Sequence, residues 1–74
     1  MSLRELFGKR LVELRHVHGI TQAQLAEKIG VTVEFISLME RGINSPSFDT
    51  LEKLANAIGV EVYELFLFER MKNK

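Results

Sequence analysis

His16 and His18 are the two histidines of the chain, and no cysteine accompanies them. Two residues apart on a helix, their side chains do not face one another. With no third histidine and no thiolate, they read as a solvent-facing pair, and no metal site is expected. The ten carboxylates are scattered over polar stretches and build no acid–base pair. A chain of 74 residues also offers no evident substrate cleft, so no catalytic activity and no cofactor are expected. The residues whose spacing does carry chemistry are hydroxyls. Ser2 stands three residues before Glu5, and Thr21 three before Gln24. In both, a side-chain oxygen can take one orphan backbone N–H while the later side chain reaches back to another, which is the chemistry of a helix start. Thr32 and Ser47 offer the first half of the same device.

These caps define the elements. Helices are expected over 1–18, 21–29, 32–41, 47–58 and 61–70, in one all-α domain spanning 1–74. Leu3, Leu6, Phe7, Leu11, Leu14 and Val17 recur at helical spacing in the first. Leu25, Ala26 and Ile29 form the inner stripe of the second, and Ile36 and Met39 that of the third. Leu51, Leu54, Ala55 and Ile58 face inward from the fourth, and Val62, Leu65 and Phe66 from the fifth. Gly19, Gly30, Gly42 and Gly59 sit at the stops. Pro46 places 43–47 in a loop. So small a domain buries only about 60% of its unfolded surface. Without a disulfide it depends on dense apolar packing or a partner chain, and 46% hydrophobic residues permit this. The first residues show no apolar leader. VYELFLF falls far short of the ~20 residues that span a bilayer, so no membrane association is expected. Absence of cysteine fits a reducing cytoplasm. Ten basic and ten acidic residues cancel, which gives no general attraction to polyanions.

Residues 21–41 combine a short helix, a tight glycine turn and a second short helix, the outline of a helix-turn-helix. Ala26 is small where the two helices cross. Gly30 allows the chain to reverse. Ile36 fixes the inner side of the second helix, so its other face is held outward, where it can enter a major groove. With TQxxLA at 21–26, IS-x-x-ERG at 36–42 and P-S-x-x-T-L at 46–51, nearly the whole chain resembles the lambda-repressor/Cro-like, or XRE, family of helix-turn-helix DNA-binding domains.

The resemblance implies a five-helix bundle acting on duplex DNA as a homodimer at a roughly palindromic operator. It implies base-reading positions at Thr32, Val33, Glu34, Phe35, Ser37 and Leu38. It implies phosphate contacts from Gln22, Asn44, Ser45 and Ser47, and Thr21, Lys28 and Arg41 are further candidates from their place beside the motif. It also implies a partly buried ion pair between Arg15 and Glu40. The sequence supports that pair independently, because Arg15 lies one turn from Leu11 and Glu40 adjoins Met39. The base-reading set departs from the family's habit. Val33, Glu34 and Leu38 are expected to be the most exposed, with Phe35 at the edge, and none of the four donates a hydrogen bond. Glu34 can accept from cytosine N4, the apolar three can pack on thymine methyls, and Ser37 can add one hydrogen bond. Cations are few, with Lys9, Lys28 and Arg41 the candidates, which predicts a shallow salt dependence. Tyr63, Leu67, Phe68 and Met71 exceed what one helix face needs and are expected at a dimer interface. The alternative is a protein-interaction module, or an antitoxin-type partner, that keeps the helix-turn-helix scaffold.

Overall fold

In the computed structural model, which describes residues 1–68, the chain begins with Ser2 capping α1, Leu3–Val17. The Ser2 hydroxyl accepts from the Glu5 N–H at 3.2 Å, and the Ser2 N–H donates to Glu5 Oε1 at 2.9 Å. Thr21 and Gln24 repeat the reciprocal pair at the start of α2, Gln22–Ile29. Thr32 caps α3, Val33–Glu40, and Ser47 caps α4, Phe48–Ile58. Each cap satisfies donors that the first helical turn cannot pair internally. The turn between α2 and α3 works through Gly30, which adopts a left-handed conformation at φ 77°. Its N–H and that of Val31 both donate to the Ala26 carbonyl, which closes the helix and reverses the chain within three residues.

The element after α4 differs from expectation. Residues 61–70 were expected to form a fifth α-helix, but the chain makes a short 3₁₀ helix, Val62–Phe66, and is extended at Leu67, while 69–70 lie outside the described residues. The described secondary structure is therefore four α-helices and one 3₁₀ turn, all helical. Leu65 is buried and Phe66 packs against the core, whereas Val62, also expected to face inward, begins the turn and is exposed at 38%. Tertiary bonding accompanies the tighter form. The Arg10 guanidinium, buried beneath this turn, donates from Nε to the Glu64 carbonyl at 2.8 Å and from Nη1 to Glu13 at 2.8 Å.

Every element contributes to one core. Leu11, Leu25, Ile36, Met39, Leu54 and Leu65 are its fully enclosed members. Leu3 and Val17, which share the apolar spacing of α1, lie beyond its two ends and are exposed. The α1–α3 crossing is unusually close. A Cβ on Gly8 would fall 2.5 Å from the Glu40 carbonyl oxygen and 2.6 Å from that of Met39. Only glycine permits this approach, which seats the end of α3 directly on the α1 backbone. No described helix is long and apolar enough to cross a membrane.

Candidate nucleic-acid interface

Close seating of α3 on α1 brings Glu40 against Arg15. Arg15 Nε donates to Glu40 Oε2 at 2.6 Å, and Nη2 donates to Oε1 at 3.1 Å. The remaining guanidinium nitrogen, Nη1, donates to the Ile20 carbonyl at 3.0 Å. Both side chains are enclosed, 10% and 5% exposed, so the fork-shaped pair is shielded from water. Gln22 adds a third donor, its Nε2 lying 2.8 Å from Glu40 Oε1. One carboxylate therefore joins α1, the start of α2 and the end of α3. No buried side-chain nitrogen or oxygen lacks a partner among the described residues. Sequence reasoning missed the Gln22 bond, because Gln22 was expected to face phosphate. Spacing alone does not show that residues 22 and 40 meet.

With Ile36 and Met39 fully buried, α3 presents its first turn outward. Thr32, Val33 and Glu34 are exposed, Val33 by 44%. The Thr32 hydroxyl is engaged by the Phe35 N–H at 3.1 Å. The rest of the expected reading surface is less open. Phe35 is half-buried against the core, and Ser37 and Leu38 are half-buried. Leu38 was expected among the most exposed residues and is not. The loop after α3 folds back on its turn, with the Ile43 and Asn44 N–H groups both donating to the Leu38 carbonyl.

The expected phosphate contacts divide. Ser45 is exposed and Asn44 half-buried in the loop after α3. Ser47 is exposed, but its hydroxyl accepts from the Thr50 N–H at 3.1 Å and donates to Thr50 Oγ1 at 3.0 Å. Thr21 is likewise engaged in capping, and the Gln22 amide nitrogen in the Glu40 network. Backbone N–H groups in the first turns of α2 and α4 remain as donors there. Arg41 stands beside Lys9 and Glu5 on the α1 side. Lys28 belongs to a separate group, with Lys53 and Asn56. Two hydrogen bonds from Ser2, first from its backbone and then from its side chain, hold the exposed Glu5 carboxyl below its ordinary pKa. Of the expected dimer residues, Tyr63 and Leu67 are exposed. Phe68 packs edge-on to Phe66 at 6.1 Å, and Met71 lies outside the described residues. Among the described residues, no three His, Cys, Asp or Glu side chains converge on a metal site.

The fold is that of a DNA-binding helix-turn-helix domain. The model of the helix-turn-helix family matches residues 11–65. An uncharacterized HTH-type transcriptional regulator of Sinorhizobium fredii, y4dJ, is 37% identical over 65 residues, covering 88% of this chain and 84% of that one. The restriction-modification controller protein C.AhdI of Aeromonas hydrophila superposes with a TM-score of 0.82 at 38% identity, over 85% of this chain and 96% of its own. The clp gene regulator ClgR of Corynebacterium glutamicum superposes at 0.87 with 31% identity, over 90% and 86%. This chain belongs to the helix-turn-helix family, in its XRE, or lambda-repressor/Cro-like, branch.

Proposed function

We propose that the protein is a cytoplasmic transcription regulator that reads a specific DNA sequence as a homodimer, with α3 in the major groove. The observation that carries this reading is the clamped α3. Its inner side is locked by Ile36, Met39 and Glu40, while Thr32, Val33 and Glu34 are left open to solvent. A helix so fixed can enter a groove without first losing conformational freedom. Glu34 would accept from a cytosine N4 amino group and Val33 would pack on a thymine methyl. Phosphates would be met by the helix N-termini and by Ser45, Lys9 and Arg41. Two copies would place their α3 helices in half-sites about 34 Å apart on a roughly palindromic operator.

Selection of binding sites from a random duplex pool tests the proposal, with Glu34→Ala/Phe35→Ala beside the wild type. The expected result is a two-fold symmetric motif, altered in the variant, with a shallow salt dependence because few cations face the DNA. No enrichment by a folded wild type would overturn it. A protein-interaction or antitoxin-type role on the same scaffold would then stand in its place.

A further inference from the structure

Gln22 is the first residue of α2, and the end of another helix holds its side chain. Its Nε2 donates to Glu40 Oε1 at 2.8 Å. The Arg15 guanidinium grips the same enclosed carboxylate, which is therefore a fixed point of the fold. A carboxylate only accepts hydrogen bonds. It sets which way the Gln22 amide is turned, because the reverse orientation would press Oε1 against a carboxylate oxygen. The nitrogen faces inward, and Glu40 takes one of its two hydrogens. What this half-buried side chain keeps for a ligand is an acceptor, Oε1, and one N–H.

The place of the amide follows from α3. Val33, Ser37 and Glu40 stand at i, i+4 and i+7, along one stripe of that helix. The stripe runs from the exposed Val33 through the half-buried Ser37 to the enclosed Glu40, where Gln22 meets it. Gln22 thus adjoins the stripe that begins on the open reading face.

Resting on the DNA-reading proposal, we propose that Gln22 reads one adenine in each half-site, with Glu40 as the positioning residue that orients its amide. Adenine presents the N6 amino donor beside the N7 acceptor, and an acceptor with one N–H complements both. Guanine presents two acceptors, N7 and O6, one of which would oppose Oε1. Phosphate oxygens also only accept, so a phosphate would use the N–H and repel Oε1. The contact supplies what the open turn of α3 lacks. Neither Val33 nor Glu34 carries a side-chain donor, and the Thr32 hydroxyl already accepts from the Phe35 N–H.

The test is site selection from a random duplex pool by wild type and Gln22→Met, followed by titration of the selected duplex and its single-base variants. Methionine keeps the length of the side chain without its amide, and circular dichroism checks the fold of the variant. The expected result is one adenine per half-site that the wild type prefers by about five- to hundred-fold, the scale of a bidentate pair. Gln22→Met is expected to lose that preference and keep those at other positions. A second measurement needs no variant. Replacing the adenine by 7-deazaadenine removes N7 and is expected to weaken wild-type binding at least about five-fold. Unchanged binding of the 7-deaza duplex would overturn the adenine contact. So would a folded variant that binds every sequence more weakly with its preferences intact, which is the mark of a phosphate contact. A selected motif without that adenine would overturn it too and leave the DNA-reading proposal standing. No enrichment by a folded wild type would overturn both.

Discussion

Replacing Glu40 by alanine removes the one acceptor that three elements share. Arg15 would keep only its bond to the Ile20 carbonyl, with its side chain still about nine-tenths enclosed. Gln22 Nε2 would lose its acceptor. Removing one partner of a buried pair costs about 3–5 kcal/mol, because the surviving charge stays desolvated. A domain of 74 residues has roughly 4–11 kcal/mol in total, so the loss is a large share of it. At about 4–8 °C per kcal/mol for this size, even 3 kcal/mol lowers the midpoint by about 12–24 °C. Thermal unfolding at one fixed protein concentration is the assay, since self-association adds concentration-dependent stability. Arg15→Met/Glu40→Met serves as the control. It removes both charges and leaves none stranded, and such replacements are often neutral or stabilising. Glu40→Ala is expected to be much the weaker of the two variants. A Glu40→Ala midpoint equal to the wild type's, or a double variant no more stable than Glu40→Ala, would refute the assignment of Glu40 as the charge that holds Arg15.

Gly8→Ala improves intrinsic helix propensity by about 1 kcal/mol, yet it is expected to lower the midpoint. The new methyl meets two backbone carbonyl oxygens at 2.5 and 2.6 Å, and overpacking of this kind costs about 1–3 kcal/mol or more. A thermal melt at or above the wild type's would show that α3 can shift freely on α1. For Glu5, the folded carboxyl titrates below its ordinary value, so its contribution is full above about pH 4.3 and fades as pH falls through the lowered value. Glu5→Gln keeps a capping-box side chain but cannot titrate. Its melting midpoint should therefore fall less than the wild type's below that pH, and parallel curves would remove Glu5 from the acid response.

The features legible in the sequence are those set by neighbours within one turn. Ser2 with Glu5 and Thr21 with Gln24 cap from three residues away, and the helix starts follow. Arg15 and Glu40 were legible for another reason. The family resemblance implies the pair, and each residue lies near an inward face, where a charge without a partner is costly. What stayed hidden depends on distant geometry. Gly8 reads as a weak point in a helix until the carbonyls of Met39 and Glu40 are placed against it. Phe48 fits the apolar spacing of α4, and spacing does not tell where the core ends. The choice of 3₁₀ over α at 62–66 accompanies the Arg10 bond to the Glu64 carbonyl, a contact 54 residues apart in sequence. Leu38 is half-buried, and the loop that returns to its carbonyl follows a path the helical spacing does not predict.

Reduced exposure along α3 bears on how the proposed regulator would work. Thr32, Val33 and Glu34 form the open part of the reading face, and the Thr32 hydroxyl is already engaged in capping. One accepted hydrogen bond and one methyl contact per copy supply little discrimination, at about 1–3 kcal/mol for a good contact. Nor does charge compensate, for Lys28 stands apart from Lys9 and Arg41. Selectivity on this reading has to come from reading the same short site twice at a fixed spacing. Dimerisation then becomes part of recognition itself, since linking two weak readers makes the second contact effectively intramolecular.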